Sequence, residues 1–265
     1  MSLIFRKTIS IFKVAITIIK LLLSFKLEAL KEYLIIFFEG KSDKKRYRNL
    51  FKKFNKVLVN EQKDLRYIIY YNNFKSKYSH IFESFGSNKG GKWKHRNNVI
   101  RHFYADFYQE ILENIEVKNL LEIGIGHNIS SPGSSLRSWS KIFPNANIFG
   151  ADIEKEVLFS EGKIKTFYLD QLNLSSFDEF KKKINGVKFD VIIDDGLHTF
   201  EANINVFNKL YELLDDNGVF IIEDINHSSF PKYYNFFKDK NCQFKIIDII
   251  NFNYPIGNGL VMIKK

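Results

Sequence analysis

The chain has 265 residues, a net charge of +10 and a single cysteine. One cysteine excludes a disulfide framework and suits a reducing compartment. The positive charge is confined to the first part, since residues 1–115 hold 23 Lys and Arg against 10 Asp and Glu, whereas residues 116–265 hold 17 against 20.

The N-terminal segment from Thr8 to about Phe38 is apolar apart from one narrow polar stripe of a helix, formed by Ser10, Lys13, Thr17, Lys20, Ser24, Glu28 and Lys31. Lysines interrupt the apolar window that a membrane span or a signal peptide requires. Two interpretations stay open. The helix lies in a membrane interface, helped by the basic run at 41–53, or it packs on protein. We expect a cytoplasmic homo-oligomer, peripheral on the inner face of the cytoplasmic membrane in the first case.

Residues 41–78 combine a helical charge pattern with interleaved tyrosines. Basic residues among aromatics can bind nucleic acid, but no recognised motif is present, so we expect a solvated helical face and no nucleic-acid partner. Gly86, Gly90 and Gly91 then indicate a mobile loop, and a helical pattern resumes from His102 to Leu112. This segment is placed to act as a lid over the following domain.

Residues 119–126, NLLEIGIG, predict a buried strand that ends in a Gly-x-Gly turn. A dinucleotide-binding turn would have a third glycine where Ile129 stands. The next strand ends in Asp152, where an acid can accept hydrogen bonds from a ribose diol. These features favour S-adenosylmethionine over NAD, and the alternative is an ordinary strand–helix turn. Ser134 or Ser135 is a plausible N-cap of the next helix.

The remaining chain alternates strands and helices, which predicts a doubly wound α/β sheet with its ligands at the carboxyl ends of the strands. The predicted strands are Lys165–Leu169, Phe189–Ile193, Gly218–Ile222, Phe244–Ile250 and Gly259–Ile263, and the predicted helices lie near Ser176–Ile184, Phe200–Leu214 and Pro231–Lys238.

Acidic residues and histidines follow two of these strands. The motif IIDDGLH supplies Asp194, Asp195 and His198, and the motif IIEDINH supplies Glu223, Asp224 and His227. Three converging carboxylates repel one another unless a cation neutralises them. Carboxylate oxygens suit Mg²⁺ or Mn²⁺, whereas a structural zinc would want cysteines. The alternative is that these acids cap the following helices.

Several motifs together resemble a known family: LEIGIG followed by SSLRSW, then GADI, the pair Asp170–Gln171, DDGLH and IIEDI. They are similar to the class I methyltransferases that methylate sugar hydroxyls of macrolides and related antibiotics, a family that includes proteins called rhamnosyl O-methyltransferases or cephalosporin hydroxylases. The segment GSNKGG…HFYADFYQEIL resembles the family's aspartate-lysine-glycine loop. The resemblance covers 82–228, with departures at Asn88, Phe103 and Leu197, where the family usually has Asp, Gly and Ser.

The resemblance implies a Rossmann-like sheet, mostly parallel with an antiparallel last strand. It also implies a catalytic, S-adenosylmethionine-binding domain at 116–265. The residue patterns before it predict a helical extension at 1–78 and a lid loop and helix at 79–115. Asp195, Glu223 and Asp224 would hold Mg²⁺ or Mn²⁺, with His198 as the general base. The residues expected around the cofactor are Glu122, Gly124, Gly126, Ser135, Asp152, Asp170, Gln171 and Asp194.

The implied reaction moves a methyl group from S-adenosylmethionine to a sugar hydroxyl of a glycan or glycosylated metabolite. The membrane-like N-terminal segment favours a surface polysaccharide or its lipid-linked precursor as the acceptor. Three alternatives stay open: a catechol-type O-methyltransferase, a nucleic-acid methyltransferase, and a non-catalytic module that tethers partners at a membrane. The Asn/Asp-Pro-Pro-aromatic motif of amino-methylating enzymes is absent after the fourth strand.

Overall fold

The computed structural model describes residues 67–72, 76–91, 93–95, 98–100, 102–126, 132–225, 229–251 and 254–265. The predicted N-terminal helix and basic run, and also His227, lie outside these residues. The chain divides into two compact units, Met1–Asn73 with Asp248–Gly257, and Phe74–Ile247 with Asn258–Lys265. Among the helices of the described ranges, none combines the length and the apolar character needed to cross a bilayer.

The helices are α1 (Lys77–Ser84), α2 (Tyr104–Leu112), α3 (Ser134–Ile142), α4 (Leu174–Ile184), α5 (Phe200–Leu210) and α6 (Phe230–Phe237). The strands are β1 (Tyr67–Asn72), β2 (Trp93–His95), β3 (Asn98–Ile100), β4 (Asn119–Ile123), β5 (Asn147–Asp152), β6 (Ser160–Glu161), β7 (Ile164–Tyr168), β8 (Phe189–Asp194), β9 (Leu214–Ile225), β10 (Gln243–Asn251) and β11 (Tyr254–Lys264).

The larger unit is built on a sheet in the order β10–β11–β9–β8–β4–β5–β7–β6. Strands β9, β8, β4, β5 and β7 run parallel, whereas β11 is antiparallel to β9 and β6 is antiparallel to β7. The prediction of a doubly wound, mostly parallel sheet with an antiparallel last strand is confirmed.

The central strands are apolar on both faces because helices cover both sides of the sheet. Leu120 and Leu121 of β4, Ile192 and Ile193 of β8, and Phe220 of β9 are all fully buried. These continuous apolar runs are the reason that the sequence pattern identified the strands.

The register of the sheet places the functional ends of the strands side by side. Ile123 of β4 pairs with Ala151 of β5 on one side and with Asp194 of β8 on the other. Beyond these pairs, Gly124 N donates to Ala151 O at 2.8 Å and Asp195 N donates to Ile123 O at 2.9 Å. The segments that follow β4, β5 and β8 therefore start from one edge of the sheet.

An aromatic cluster fixes the helices that precede the sheet. The ring of Trp139, on α3, is fully buried and makes edge contacts with Phe82 of α1 at 4.8 Å and with Tyr108 of α2 at 5.2 Å between centroids. The segment predicted as a mobile loop follows α1 and contains a tight turn at Asn88–Gly90 and the β2–β3 hairpin. A Cβ on Gly90 would lie 2.5 Å from Ser79 O, so the turn packs directly against α1.

Candidate active site

The Gly-x-Gly turn brings the ends of β4 and β8 into contact. Gly124 has φ +84°, and a Cβ at this position would lie 2.1 Å from the carbonyl oxygen of Asp195. Gly126 has φ +150°, and its Cβ would lie 2.8 Å from Pro132 Cα. Any side chain at Gly124 would therefore separate the two strand ends.

A pocket opens beside this turn. It is lined by residues 87–89, residues 124–126, Ser134, Ser135 and Asp195. The predicted cofactor residues Gly124, Gly126 and Ser135 thus lie in one concave wall. Helix α3 has Gly133 as its N-cap, so the prediction that Ser134 or Ser135 caps it was wrong by one or two residues. The positive end of this helix dipole faces the pocket.

Asp152 supports the turn from the neighbouring strand. Its carboxylate is 8% exposed and accepts hydrogen bonds from Ile125 N at 2.9 Å and from Glu154 N at 3.0 Å. A carboxylate has about four acceptor positions, so room for a further donor is left. Asp170 accepts from Leu172 N at 2.9 Å and shapes the loop after β7.

Gln171 and Asp194 bind each other. Gln171 Nε2 donates to Asp194 Oδ1 at 2.8 Å, and Gln171 Oε1 accepts from Leu197 N at 2.7 Å. Asn203 Nδ2 donates to Asp194 Oδ2 at 2.8 Å, and Tyr233 Oη donates to Asn203 Oδ1 at 2.6 Å. Asp194 is fully buried, and this burial raises its pKa to about 6 against the opposing hydrogen bonds. These two predicted cofactor residues therefore join the loops after β7 and β8.

Lys89 lies at the centre of the carboxylate cluster, and the residue-by-residue sequence analysis did not assign it a role. Its Nζ is 2.6 Å from Asp195 Oδ2, 2.5 Å from Glu223 Oε2 and 3.5 Å from Glu122 Oε1. Lys89 is only 2% exposed. Burial acts to lower the pKa of its ammonium, but the three carboxylates hold that pKa well above its usual value. The sequence signal that could have identified Lys89 was its position in the glycine-rich segment that resembles the family's aspartate-lysine-glycine loop.

The two glutamates of the cluster are held by donors from the chain itself. Tyr108 Oη donates to Glu223 Oε1, so both oxygens of Glu223 have partners. Trp139 Nε1 donates to Glu122 Oε2 at 2.8 Å, whereas Glu122 Oε1 has no hydrogen-bond partner among the described residues. Burial raises the pKa of both carboxyl groups. The sequence analysis missed the two tyrosines of α2, Tyr104 and Tyr108.

Asp195, Asp224 and His198 present ligand atoms to one point. His198 Nε2 lies 4.0 Å from Asp195 Oδ1 and 3.8 Å from Asp224 Oδ2, and the three ligand atoms are all within 4.8 Å of one another. Lys89 takes the other oxygen of Asp195, and Tyr104 Oη donates to the other oxygen of Asp224. Two carboxylate oxygens and an imidazole nitrogen at this spacing fit a divalent cation such as Mg²⁺ or Mn²⁺.

Two residues of the Asp195–His198–Asp224 group have strained backbone conformations. His198 and Asp224 both have φ +56°, a left-handed conformation that costs a non-glycine residue about 1 kcal/mol or more. His102 Nδ1 lies 3.2 Å from Asp224 Oδ1. Burial would raise the pKa of Asp224, but His102, Tyr104 and His198 outweigh it and lower that pKa. Asp224 is therefore ionised and has one oxygen available.

The strand order, the glycine turn after the first strand and the acid after the second are the features by which the sequence resembles the class I methyltransferases. Residues 132–245 match the model of a family described as a methyltransferase domain. This match confirms the predicted resemblance to methyltransferases.

Similar proteins point to the same class. The chain is 31% identical over 144 residues to demethylmacrocin O-methyltransferase of Streptomyces fradiae, covering 54% of this chain and 35% of that protein. It is 28% identical over 122 residues to 8-demethyl-8-alpha-L-rhamnosyl tetracenomycin-C 2'-O-methyltransferase of Streptomyces olivaceus, covering 45% and 32%. The chain spans about a third of the length of these curated relatives.

Among solved structures, the chain is similar to MycE methyltransferase from the mycinamycin biosynthetic pathway in complex with Mg and SAH. The TM-score is 0.48 and the identity is 25%, over 60% of this chain and 40% of that one.

Proposed function

We propose that this chain is a metal-dependent O-methyltransferase that moves the methyl group of S-adenosylmethionine to a sugar hydroxyl. The observation that carries the proposal is the position of Asp195. This residue lines the pocket beside the glycine turn and also belongs to the Asp195–His198–Asp224 group. A methyl donor in the pocket and a hydroxyl at the acidic group would therefore be neighbours.

The donor belongs in the pocket beside residues 124–126, where the glycine turn lets a ligand approach the main chain. Ser135 and Asp152 support the same wall, one at the start of α3 and one through Ile125 N. A sulfonium donor needs no chemical activation, so the pocket has only to align the methyl group with the acceptor oxygen.

The acceptor hydroxyl belongs beside His198. Asp195 and Asp224 would hold a divalent cation, with Glu223 behind them, and a bound cation lowers the pKa of a coordinated hydroxyl. The side chain of His198 is 37% exposed, and its Nε2 lies within 4.0 Å of one oxygen of each carboxylate. It is placed to accept the hydroxyl proton as the methyl group is transferred.

The sugar acceptor is supported by the names of the relatives, which act on a rhamnosyl tetracenomycin and on demethylmacrocin. The test is transfer of labelled methyl from S-adenosylmethionine to rhamnosides and other glycosides, with catechol as the competing acceptor. We expect methylation of the glycoside that EDTA abolishes and Mg²⁺ or Mn²⁺ restores. Full turnover in excess EDTA would remove the metal from the proposal, and methylation of catechol alone would remove the sugar.

A further inference from the structure

Lys89 occupies the inner side of the carboxylate cluster and is held there by its own backbone. Ser87 Oγ accepts from Lys89 N at 3.4 Å, and Asn88 O accepts from Gly91 N at 3.1 Å and from His102 N at 3.3 Å. Gly90 packs against α1 so closely that a Cβ would meet Ser79 O. The ammonium is thus delivered to the cluster by a fixed turn.

The contacts of this ammonium are those that a divalent cation would also seek. Lys89 Nζ lies within 2.6 Å of Asp195 Oδ2 and of Glu223 Oε2, and 3.5 Å from Glu122. Asp195 also contributes its second oxygen to the group formed with His198 and Asp224. A cation at that group and the ammonium of Lys89 would therefore share one carboxylate.

We propose that Lys89 is a resident counter-cation of the cluster, which neutralises Asp195 and Glu223 in the metal-free protein and opposes the binding of a divalent cation. This inference rests on the metal site of the proposed function. Like charges that share a carboxylate at short range repel, and the repulsion is strong where water is excluded. The side chains of Lys89 and Glu223 are 3% and 1% exposed, so solvent screens this repulsion little.

A counter-cation role for Lys89 also predicts an effect on the stability of the metal-free protein. If Lys89 is removed, Glu223 and Asp195 are left as buried or half-buried carboxylates without their cation, which destabilises the fold unless another cation replaces it. A residue that only packed would lose stability on substitution, but it would not increase the affinity for metal. The two effects together distinguish a counter-cation from a packing residue.

The experiment compares Lys89→Met and Lys89→Gln with the wild type and with Lys181→Met. Lys181 is the matched control because its Nζ is paired with Glu212 on the surface. Mn²⁺ affinity is measured by titration calorimetry on the metal-free full chain, and the midpoint of thermal unfolding is measured with and without Mn²⁺. We expect both Lys89 variants to bind Mn²⁺ about tenfold more tightly than the wild type. We also expect them to unfold at lower temperature without Mn²⁺ and to gain more from it. Lys181→Met should behave as the wild type.

Equal or weaker Mn²⁺ binding by the Lys89 variants would overturn the inference while leaving the metal site intact. Absence of Mn²⁺ binding by every protein, wild type included, would overturn the inference together with the metal dependence of the proposed function. If the variants fold only when Mn²⁺ is present, the inference is supported. If they fail to fold even with Mn²⁺, a metal cannot replace the lysine and the inference is wrong.

Discussion

Replacing Asp152 by alanine tests whether one carboxylate holds the glycine turn. Asp152 accepts from Ile125 N, a buried donor, at 2.9 Å and from Glu154 N, a half-buried donor, at 3.0 Å. Loss of the first bond leaves a buried N–H without a partner, which costs about 1–3 kcal/mol, whereas water can replace the second. We therefore expect the free energy of unfolding to fall by about 1–3 kcal/mol, a large share of the total for an ordinary domain.

The chain offers a matched control in Asp190. Its Oδ2 accepts from two backbone donors, Lys118 N at 2.7 Å and Asn119 N at 2.8 Å, at the opposite and more exposed end of β4. Because water reaches these donors, Asp190→Ala should lose about 1 kcal/mol or less. Urea unfolding of both variants without cofactor measures the difference, and Asp152→Asn, which keeps an acceptor oxygen, should fall between the wild type and Asp152→Ala.

The affinity for S-adenosylmethionine is measured separately by calorimetry at a temperature where every variant is folded. If Asp152 also binds the ribose diol, its alanine variant should lose about 1.5–3 kcal/mol of binding free energy, the range for a bond to a charged group, and Asp190→Ala should lose none. Asp152→Ala as stable as the wild type would refute the structural role. Lower stability with unchanged affinity would limit Asp152 to the turn.

Three further outcomes are expected. His198→Ala should lower kcat by about 10²–10⁴, whereas His80→Ala, at an exposed histidine, should not lower it; normal turnover of His198→Ala would exclude His198 as the base. Asp224→Asn should weaken Mn²⁺ binding in calorimetry at a temperature where the variant is folded, and unchanged affinity would remove Asp224 from the metal site. Because the pKa of Asp194 is raised from 3.8 to about 6, the native state binds more protons than the unfolded state between these values. Stability should therefore fall by up to about 3 kcal/mol as pH rises through this window, and a flat urea midpoint from pH 4 to 7 would contradict the burial of the charge.

The sheet could be predicted because its signals are local. Continuous apolar runs such as Val191–Ile193 identify strands that are buried on both faces, and parallel strands must end at one edge. That rule alone predicted that three acidic residues lie close together, namely Asp195, Glu223 and Asp224. Strand limits were predicted less accurately, since β9 begins at Leu214 whereas the predicted strand begins at Gly218.

The partners of these acids could not be predicted because they come from distant parts of the chain. Lys89 and Tyr108 precede Glu223 by 134 and 115 residues. Their positions depend on how α1 and α2 pack around Trp139, which no local pattern encodes. Asn203, which joins Asp194 to Tyr233, is a polar residue on the buried face of α5. A buried asparagine in an otherwise apolar helix face was the available signal.

The packing around Trp139 places the glutamates and the aspartates of the carboxylate cluster in different environments. Glu122 is held by the indole of Trp139, and Glu223 is held by Tyr108 and Lys89, so both glutamates are enclosed by donors and have raised pKa values. Asp195 and Asp224 instead each have one oxygen bound by Lys89 or by Tyr104 and a second oxygen that faces His198. The aromatic cluster therefore decides which carboxylates keep an oxygen open at the edge of the sheet. For this reason, we expect substitutions at Trp139 to disturb the acidic group, although Trp139 lies far from that group in the sequence.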